Sequence, residues 1–383
     1  MAIRNVLVVG GGIGGLTLAT ALGQQGIAVE VAEIQPRHEV YGVGLLQPGN
    51  ALRALNSLGL MEACLAAGFQ TDEYRYMEAD GAPIASLRLL RIADPERPAI
   101  NMLPRPALHR ILTGAAERAG TRIRMGLSVR AIDDTKDFAE VAFTDGSTGR
   151  YDLVVGADGI RSHVRTLLFG AVAPQFTGQG VWRYTTQRPA DVDYQAMYLG
   201  VGVKAGLVPL SLETMYLLLV TNEPGNPRMD PDRLDVLLRQ RLQQFGHHVA
   251  TVRDSIRGPA GIVYTAIEEI ILPQPWHRGR VVLIGDAAHA SSPHIAQGAA
   301  MAVEDAVVLA ELAATGRPLS EVLGEFMRRR FARCKFVQDT SRQVGVDGNL
   351  EDPAACRSRN ERYRRLFADP QPRPHELRLA EPI

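Results

Sequence analysis

Long apolar runs are missing from this 383-residue chain. None approaches the roughly 18 residues that a membrane helix needs. The first short run, Val6 to Val9, passes straight into glycines, so no secretory leader is expected and a cytoplasmic protein is the reading. An excess of charge is missing too. The 42 basic and 42 acidic residues cancel, which leaves no electrostatic footprint for nucleic acid or an anionic membrane. Cysteine is scarce: Cys64, Cys334 and Cys356 share no metal-ligand spacing and read as unpaired thiols in a reducing compartment. His247-His248 has no third ligand nearby in the sequence, so no metal is expected. Repeats and low-complexity tracts are also lacking. The 46% hydrophobic share is ordinary for a globular chain, here long enough for two or three domains.

Glycine, by contrast, is placed with purpose. Gly10-Gly11-Gly12-Ile13-Gly14-Gly15 satisfies G-x-G-x-x-G between a buried strand over 3–9 and an Ala/Leu helix over 14–25. Gly10 allows the tight turn, Gly12 lets the backbone approach a pyrophosphate, and Gly15 lets helix and strand pack closely. Glu33 ends the next strand, where a carboxylate can accept hydrogen bonds from both ribose hydroxyls of an adenosine. These residues point to a dinucleotide without separating FAD from NAD.

The segment 281–305 separates them. A four-residue apolar run ends in Gly285-Asp286, putting one carboxylate at the carboxyl edge of a sheet, where ligands bind in open α/β folds. A nicotinamide dinucleotide needs no second acidic strand end so far downstream. A flavin dinucleotide does, because its ribityl chain carries hydroxyls between pyrophosphate and ring. Gln297-Gly298 opens a helix whose N–H groups can stabilise negative charge on a reduced flavin, and Gly298 has no side chain to block a flat ring. Pro293 stiffens the loop between them. Glu304 and Asp305 read as helix-surface or structural polar residues. A second G-x-G-x-x-G is lacking, so a second dinucleotide-binding Rossmann domain is not expected.

Around these motifs the sequence predicts an α/β protein with an inserted, mainly antiparallel sheet. A Rossmann-like FAD-binding domain is assigned to 1–72, 98–174 and 272–345, and a substrate-binding sheet to 73–97 and 175–271. Residues 346–383 are read as a short helix and weakly ordered tail. Strands are expected over 181–186, 196–203, 214–221 and 261–270, with one interrupting helix over 233–245. Asp145-Gly146 closes a small ribbon made of 129–132 and 139–144. Helices are expected over 105–119, 297–314 and 319–338.

With these residues in place, the chain resembles the single-component FAD-dependent aromatic hydroxylases, the group A flavoprotein monooxygenases with the para-hydroxybenzoate hydroxylase fold. Three motifs stand in the family's order: Gly10–Gly15 with Glu33, Gly156-Ala157-Asp158-Gly159 running on to Arg165, and Gly285-Asp286 followed by Pro293 and Gln297-Gly298. The loop from Pro293 to Asp305 looks most like the salicylate and 6-hydroxynicotinate hydroxylase branch. The resemblance implies tightly bound FAD held by Gly10, Gly12, Ile13, Gly14, Gly15, Glu33, Arg105, Asp158, Asp286, Pro293, Gly298 and Ala299. It implies NADH or NADPH as transient reductant and O₂ as co-substrate. It also implies that Asp158 and Arg165 tie the FAD region to the surface where the reductant acts. The implied reaction adds oxygen to a small electron-rich benzoate- or pyridine-type ring through a flavin C4a-hydroperoxide, in a monomer or homodimer.

For the substrate, Arg183 is a candidate to hold a carboxylate, and Tyr184 or His294 to relay a phenolic proton, with Tyr198 and Tyr216 as further pocket residues. Tyr184 stands where the branch has glycine, which questions close backbone approach there. Rival readings are a dehydrogenase or reductase of the same superfamily that inserts no oxygen, and a non-catalytic flavoprotein that binds an aromatic.

Overall fold

A computed structural model describes residues 3–37, 43–135, 137–368 and 372–383. Its architecture is α/β, with a parallel sheet and a separate, larger antiparallel one. The parallel sheet has six strands in the order His277–Arg278, Val281–Leu283, Leu153–Gly156, Asn5–Val9, Ala28–Glu33 and Arg122–Met125. Only the two-residue edge strand His277–Arg278 runs antiparallel. Val6, Leu7 and Val8, Leu153 to Val155, and Val281 to Leu283 are all buried, because the sheet is covered by helices and by the apolar residues Val129, Val141 and Phe143 of a small antiparallel ribbon, so its strands must be apolar throughout. The helices Ile13–Gln24 and Gly298–Ala313 cross closely. A Cβ on Gly14 would lie 3.2 Å from that of Ala302.

The second sheet has seven strands, ordered Ile262–Glu269, Gln175–Gln187, Thr214–Asn222, Val203–Pro209, Gln195–Leu199, Glu73–Glu78 and Pro83–Arg88. All its pairings are antiparallel except that of Gln195–Leu199 with Glu73–Glu78. Strand alternation gives it two distinct faces. Trp182, Tyr198, Leu217 and Leu219 share a core with Leu238, Phe245 and Val249, which lie on or beside the helices Leu234–Arg241 and His247–Ser255. The opposite face carries Tyr216 and Val208 against Met102 of the strand Ile100–Pro104. That strand belongs to a three-stranded layer with Gly44–Pro48 and Phe69–Thr71.

Several boundaries differ from expectation. Residues 196–203 form no single strand: Gly202, at φ 70°, turns the chain between Gln195–Leu199 and Val203–Pro209. The one interrupting helix is shorter, Leu234–Arg241, and a second one, His247–Ser255, follows after Gly246. Asp145-Gly146 joins Ala139–Phe143 to Thr148–Tyr151, with Val129–Asp134 as the third strand. The helix expected to end at 338 runs unbroken over Leu319–Gly348.

The C-terminal stretch is the largest correction. It forms the helices Pro353–Leu366 and Pro374–Ala380. They are tied down by Arg359 donating to the Asp347 carbonyl at 3.1 Å, and by Arg53 and Arg333 donating to the carbonyls of Ala380 (2.7 Å) and Leu379 (2.8 Å). Its high charge misled the reading, because part of that charge is used internally: Arg359 is buried on a backbone carbonyl, and Arg362, Arg364 and Arg373 pair with Asp347, Glu78 and Glu376. Among the described residues, no helix is long and apolar enough to cross a membrane.

Candidate functional site

The first strand delivers the glycine turn to the carboxyl edge of the parallel sheet. Gly10 sits at φ 109°, where a Cβ would also run into the Ala157 carbonyl. A Cβ on Gly15 would strike the Gly10 carbonyl, so both positions exclude any other residue. Gly12 is different: its φ is −79° and nothing lies within 4 Å of where its Cβ would be. Neither packing nor backbone conformation requires glycine there, and the open space leaves room for close approach of a ligand. Gly298 repeats the pattern at the start of the helix Gly298–Ala313, with only the Ser291 hydroxyl at 3.9 Å. Two helix N-termini thus present bare backbone. The N–H groups of Gly298 and Ala299 lie in the first helical turn, where no intrahelical acceptor exists. These cradles fit a dinucleotide: Gly12 with Ile13 and Gly14 for the pyrophosphate, Gly298 and Ala299 for the flat ring.

Glu33 lies beside this turn. Its two carboxylate oxygens accept from the Gly11 N–H (2.6 Å) and the Gln35 N–H (2.8 Å). Asp286 begins a short helix after Gly285, which takes φ 58°. Solvent reaches the Asp286 side chain, yet surrounding protein pushes its carboxyl pKa up, against the pull of His289 and Arg105. Arg105, exposed at the start of the helix Arg105–Arg118, therefore faces the same space as Asp286. Asp158 does not open to that space. Its carboxylate takes the Ser162 hydroxyl and the N–H groups of His163 (2.7 Å) and Val164 (3.0 Å), capping the helix His163–Phe169. The buried Arg165 donates to the carbonyls of Ala287 (3.0 Å) and Ile160 (2.8 Å), which ties this motif to the Gly-Asp motif.

A network that the sequence reading did not assemble holds these parts in register. Asp305 is fully buried, and one of its oxygens accepts the Gly285 N–H (2.9 Å) and the His289 Nε2 (2.6 Å). Arg330 donates to Asp305 and to Glu304, both at 2.7 Å, and Arg333 holds Glu304 with two further bonds. Asn50 joins Glu304 (2.9 Å) to the amide of Gln297, with which it exchanges two hydrogen bonds. Both edges of the cofactor cradle, Gly285 and Gln297, thus rest on one ionic cluster.

Burial alone would discharge Asp305, but His289 and Arg330 outweigh it and hold the carboxyl below its usual range. Burial likewise opposes charge on His289, yet Cys334 and Asp305 keep its pKa well above the ordinary value. Glu304 and Asp305 are structural but not on the surface. The signal for this was an acidic pair in an apolar helix followed by Arg328-Arg329-Arg330 and Arg333 in the next helix.

The candidate substrate residues part company. Arg183 and Tyr216 lie on the sheet face turned toward Met102, and Arg183 is close enough to Tyr216 and Arg105 to feel both. Burial and Arg105 push the Arg183 guanidinium down, while Tyr216 supports its charge. Among the described residues, neither Arg183 nor Arg105 has a hydrogen-bond or ion-pair partner. Burial pushes the Tyr216 phenol up to about 12.

Tyr184 and Tyr198 point to the helix-covered face instead. Strand alternation dictates this for the neighbour of Arg183, and Tyr198 hydrogen-bonds His247 Nδ1 at 3.1 Å. The side chain of Tyr184 therefore leaves the near face open at the position where glycine was expected. His294 also turns elsewhere. The 3₁₀ turn Pro293–Ile295 ends on Ala296 at φ 56°, and the imidazole packs over Gly345 with Nε2 3.0 Å from Gln179 Oε1. Nothing places it with Arg183 and Tyr216.

Known proteins give the same outline. A family model described as an FAD binding domain matches residues 4–333. The chain is 33% identical over 363 residues to 2-heptyl-3-hydroxy-4(1H)-quinolone synthase of Pseudomonas aeruginosa, covering 93% of this chain and 92% of that protein. It is 30% identical over 373 residues to 3-amino-4-hydroxybenzoate 2-monooxygenase of Streptomyces cremeus, covering 94% and 91%. Klebsiella pneumoniae HpxO, solved with FAD and uric acid, superimposes with a TM-score of 0.86 over 94% of this chain and 93% of that one. At 24% identity that likeness is one of fold.

Proposed function

The chain belongs to the FAD binding domain family and is an FAD-dependent flavoprotein monooxygenase. From that premise we propose that it hydroxylates a small, electron-rich aromatic or heteroaromatic acid, using NADH or NADPH as reductant. The observation that carries the substrate class is Arg183. A largely enclosed guanidinium without a hydrogen-bond or ion-pair partner among the described residues, on the sheet face opposite the FAD-binding layer, is built to meet an anion.

Bound FAD supplies the redox chemistry, accepting electrons from a reduced nicotinamide and delivering one atom of O₂ to the ring. The chain's own residues do the rest. Gly12 and Gly298 admit the cofactor's backbone-close parts, and the Gly298 and Ala299 N–H groups favour negative charge at the ring edge. Asp286 would accept from the ribityl hydroxyls, and Glu33 would hold the adenosine end. Arg183 orients the substrate carboxylate while Tyr216, Met102, Val208 and Leu210 exclude water from the ring.

A panel of hydroxylated benzoates, hydroxypyridine carboxylates and uncharged 4-quinolones tests this reading through stimulated NAD(P)H oxidation and a 16-dalton mass gain. The expected result is stimulation by carboxylated rings, weakened about a hundredfold in Arg183→Ala with FAD content unchanged. Stimulation by uncharged quinolones alone, insensitive to Arg183→Ala, would sink it.

A further inference from the structure

Three buried side-chain atoms without a partner among the described residues belong to residues that line one cavity: Glu269 Oε2, His294 Nδ1 and Asn349 Oδ1. The cavity measures about 380 Å³ and lies between the strand Gln175–Gln187, the Pro293–Ile295 turn and the last turns of the long helix. Glu269 and Asn349 are only 6% and 5% exposed.

All three atoms are acceptors. The other oxygen of Glu269 is taken by Arg342 (2.8 Å from Nε). The amide nitrogen of Asn349 is spent on the carbonyls of Val220 (3.0 Å) and Gly202 (3.3 Å), which leaves its oxygen free. Gln179 gives its own N–H groups to Gly345 and Asn222, so its oxygen must accept from His294 Nε2. That fixes the tautomer and leaves a lone pair on Nδ1. Burial and the nearby Lys204 keep the ring neutral. A buried acceptor left unsatisfied is costly, and three around one cavity of ring-sized volume call for a ligand that donates. Arg342 in the same wall is engaged by Glu269, which leaves Glu351 as the remaining charge and disfavours an anionic group.

A primary carboxamide on a flat ring meets these terms, with two N–H donors and no charge. The reaction brings one: the pyridine-3-carboxamide of the reductant. The chain carries no second dinucleotide turn to hold that molecule, and the cavity shares Ser292 and His294 with the loop that leads to Gly298. We propose that this cavity receives the nicotinamide carboxamide of NADH or NADPH, its N–H groups donating to Glu269 and to Asn349 or His294. The inference rests on the reading that a nicotinamide nucleotide is the reductant.

The test uses the FAD-loaded protein and compares flavin reduction by the nucleotide with reduction by its 3-acetylpyridine analogue, in which a methyl replaces the NH₂. The expected result is about tenfold weaker binding of the analogue. In Glu269→Gln the discrimination should collapse toward one through weaker binding of the natural nucleotide, with FAD content and substrate affinity unchanged. Should that variant fail to fold, crystals of the unaltered protein soaked with nicotinamide decide. Density for the ring in this cavity supports the proposal, and ordered water alone, or a ring elsewhere, overturns it. Reduction that is equal for amide and acetyl in both proteins overturns the cavity assignment alone. A flavin that neither NADH nor NADPH reduces overturns the reductant reading and the ligand with it.

Discussion

Asp286 and Lys204 show how differently two charges can be used, one open to solvent and one enclosed. Asp286 is reached by solvent and has no hydrogen-bond donor among the described residues, so its acceptor capacity is available to a ligand. Asp286→Ala should therefore weaken FAD retention by roughly ten- to a hundredfold, the worth of one or two hydrogen bonds to a charged group. Flavin absorbance per protein after gel filtration measures it, and an unchanged ratio would remove Asp286 from the site.

Lys204 is fully enclosed, with Nζ 3.2 Å from the Val344 carbonyl. Burial and Arg359 bring its pKa from 10.5 down to about 7. Between those values the unfolded chain holds a proton that the folded chain has released. Stability from this group therefore rises with pH across that window and is flat below it, by about 1.4 kcal/mol per pH unit. Denaturant unfolding at pH 7, 8 and 9 should give a shallower pH slope in Lys204→Met than in the unaltered protein. Equal slopes would mean that Lys204 titrates normally.

At the scale of elements, the helix Leu319–Gly348 spans about 45 Å and carries three glycines with opposite meanings. Gly324 has nothing within 4 Å of its Cβ position, so Gly324→Ala should stabilise by about 0.5–1 kcal/mol through helix propensity alone. A Cβ on Gly345 would enter the His294 ring, and one on Gly348 would lie 2.6 Å from Lys204 Nζ. Gly345→Ala should cost about 1–3 kcal/mol despite the same propensity gain, and the loss should shrink in the His294→Ala background. Thermal melts of the four variants decide; a stabilising Gly345→Ala would contradict the packing.

These glycines also explain which boundaries were legible. Gly316 marks a true helix end, at φ 70° with nothing within 4 Å of its Cβ position, whereas Gly345 and Gly348 lie inside the long helix and make room for side chains from distant segments. The glycine turn, the Gly-Asp strand end and the two-sheet layout were readable because each depends on local spacing. The direction of His294 was not, since it depends on a helix some 50 residues downstream. Strand parity around Arg183 could have separated Tyr184 from it, and the face of Tyr198 follows only once the register is known.

For the whole molecule, the last turns of chain reach back to the cofactor's foundation. Arg333, which clamps Glu304, also donates to the Leu379 and Arg378 carbonyls, and Arg53 donates to Ala380. Deleting residues 372–383 should lower the melting temperature by at least about 5 °C and reduce FAD occupancy, although no deleted residue borders the cradle. Calorimetry with flavin absorbance checks this. A truncated protein that melts normally and keeps its flavin would show that the cluster stands without the tail.

The long helix has a practical consequence for building hybrids of this fold. Its early turns hold the Glu304–Asp305 cluster through Arg330 and Arg333. Its final residues and the loop beyond belong to the sheet: Asn349 reaches the carbonyls of Val220 and Gly202, Gly345 receives Gln179, and Arg342 pairs with Glu269. A substrate sheet transplanted from a relative as residues 175–271 would therefore arrive without its own fastening. The portable module is the sheet together with residues 342–351, and crossover points for recombination belong in the middle of the helix, between the two sets of anchors.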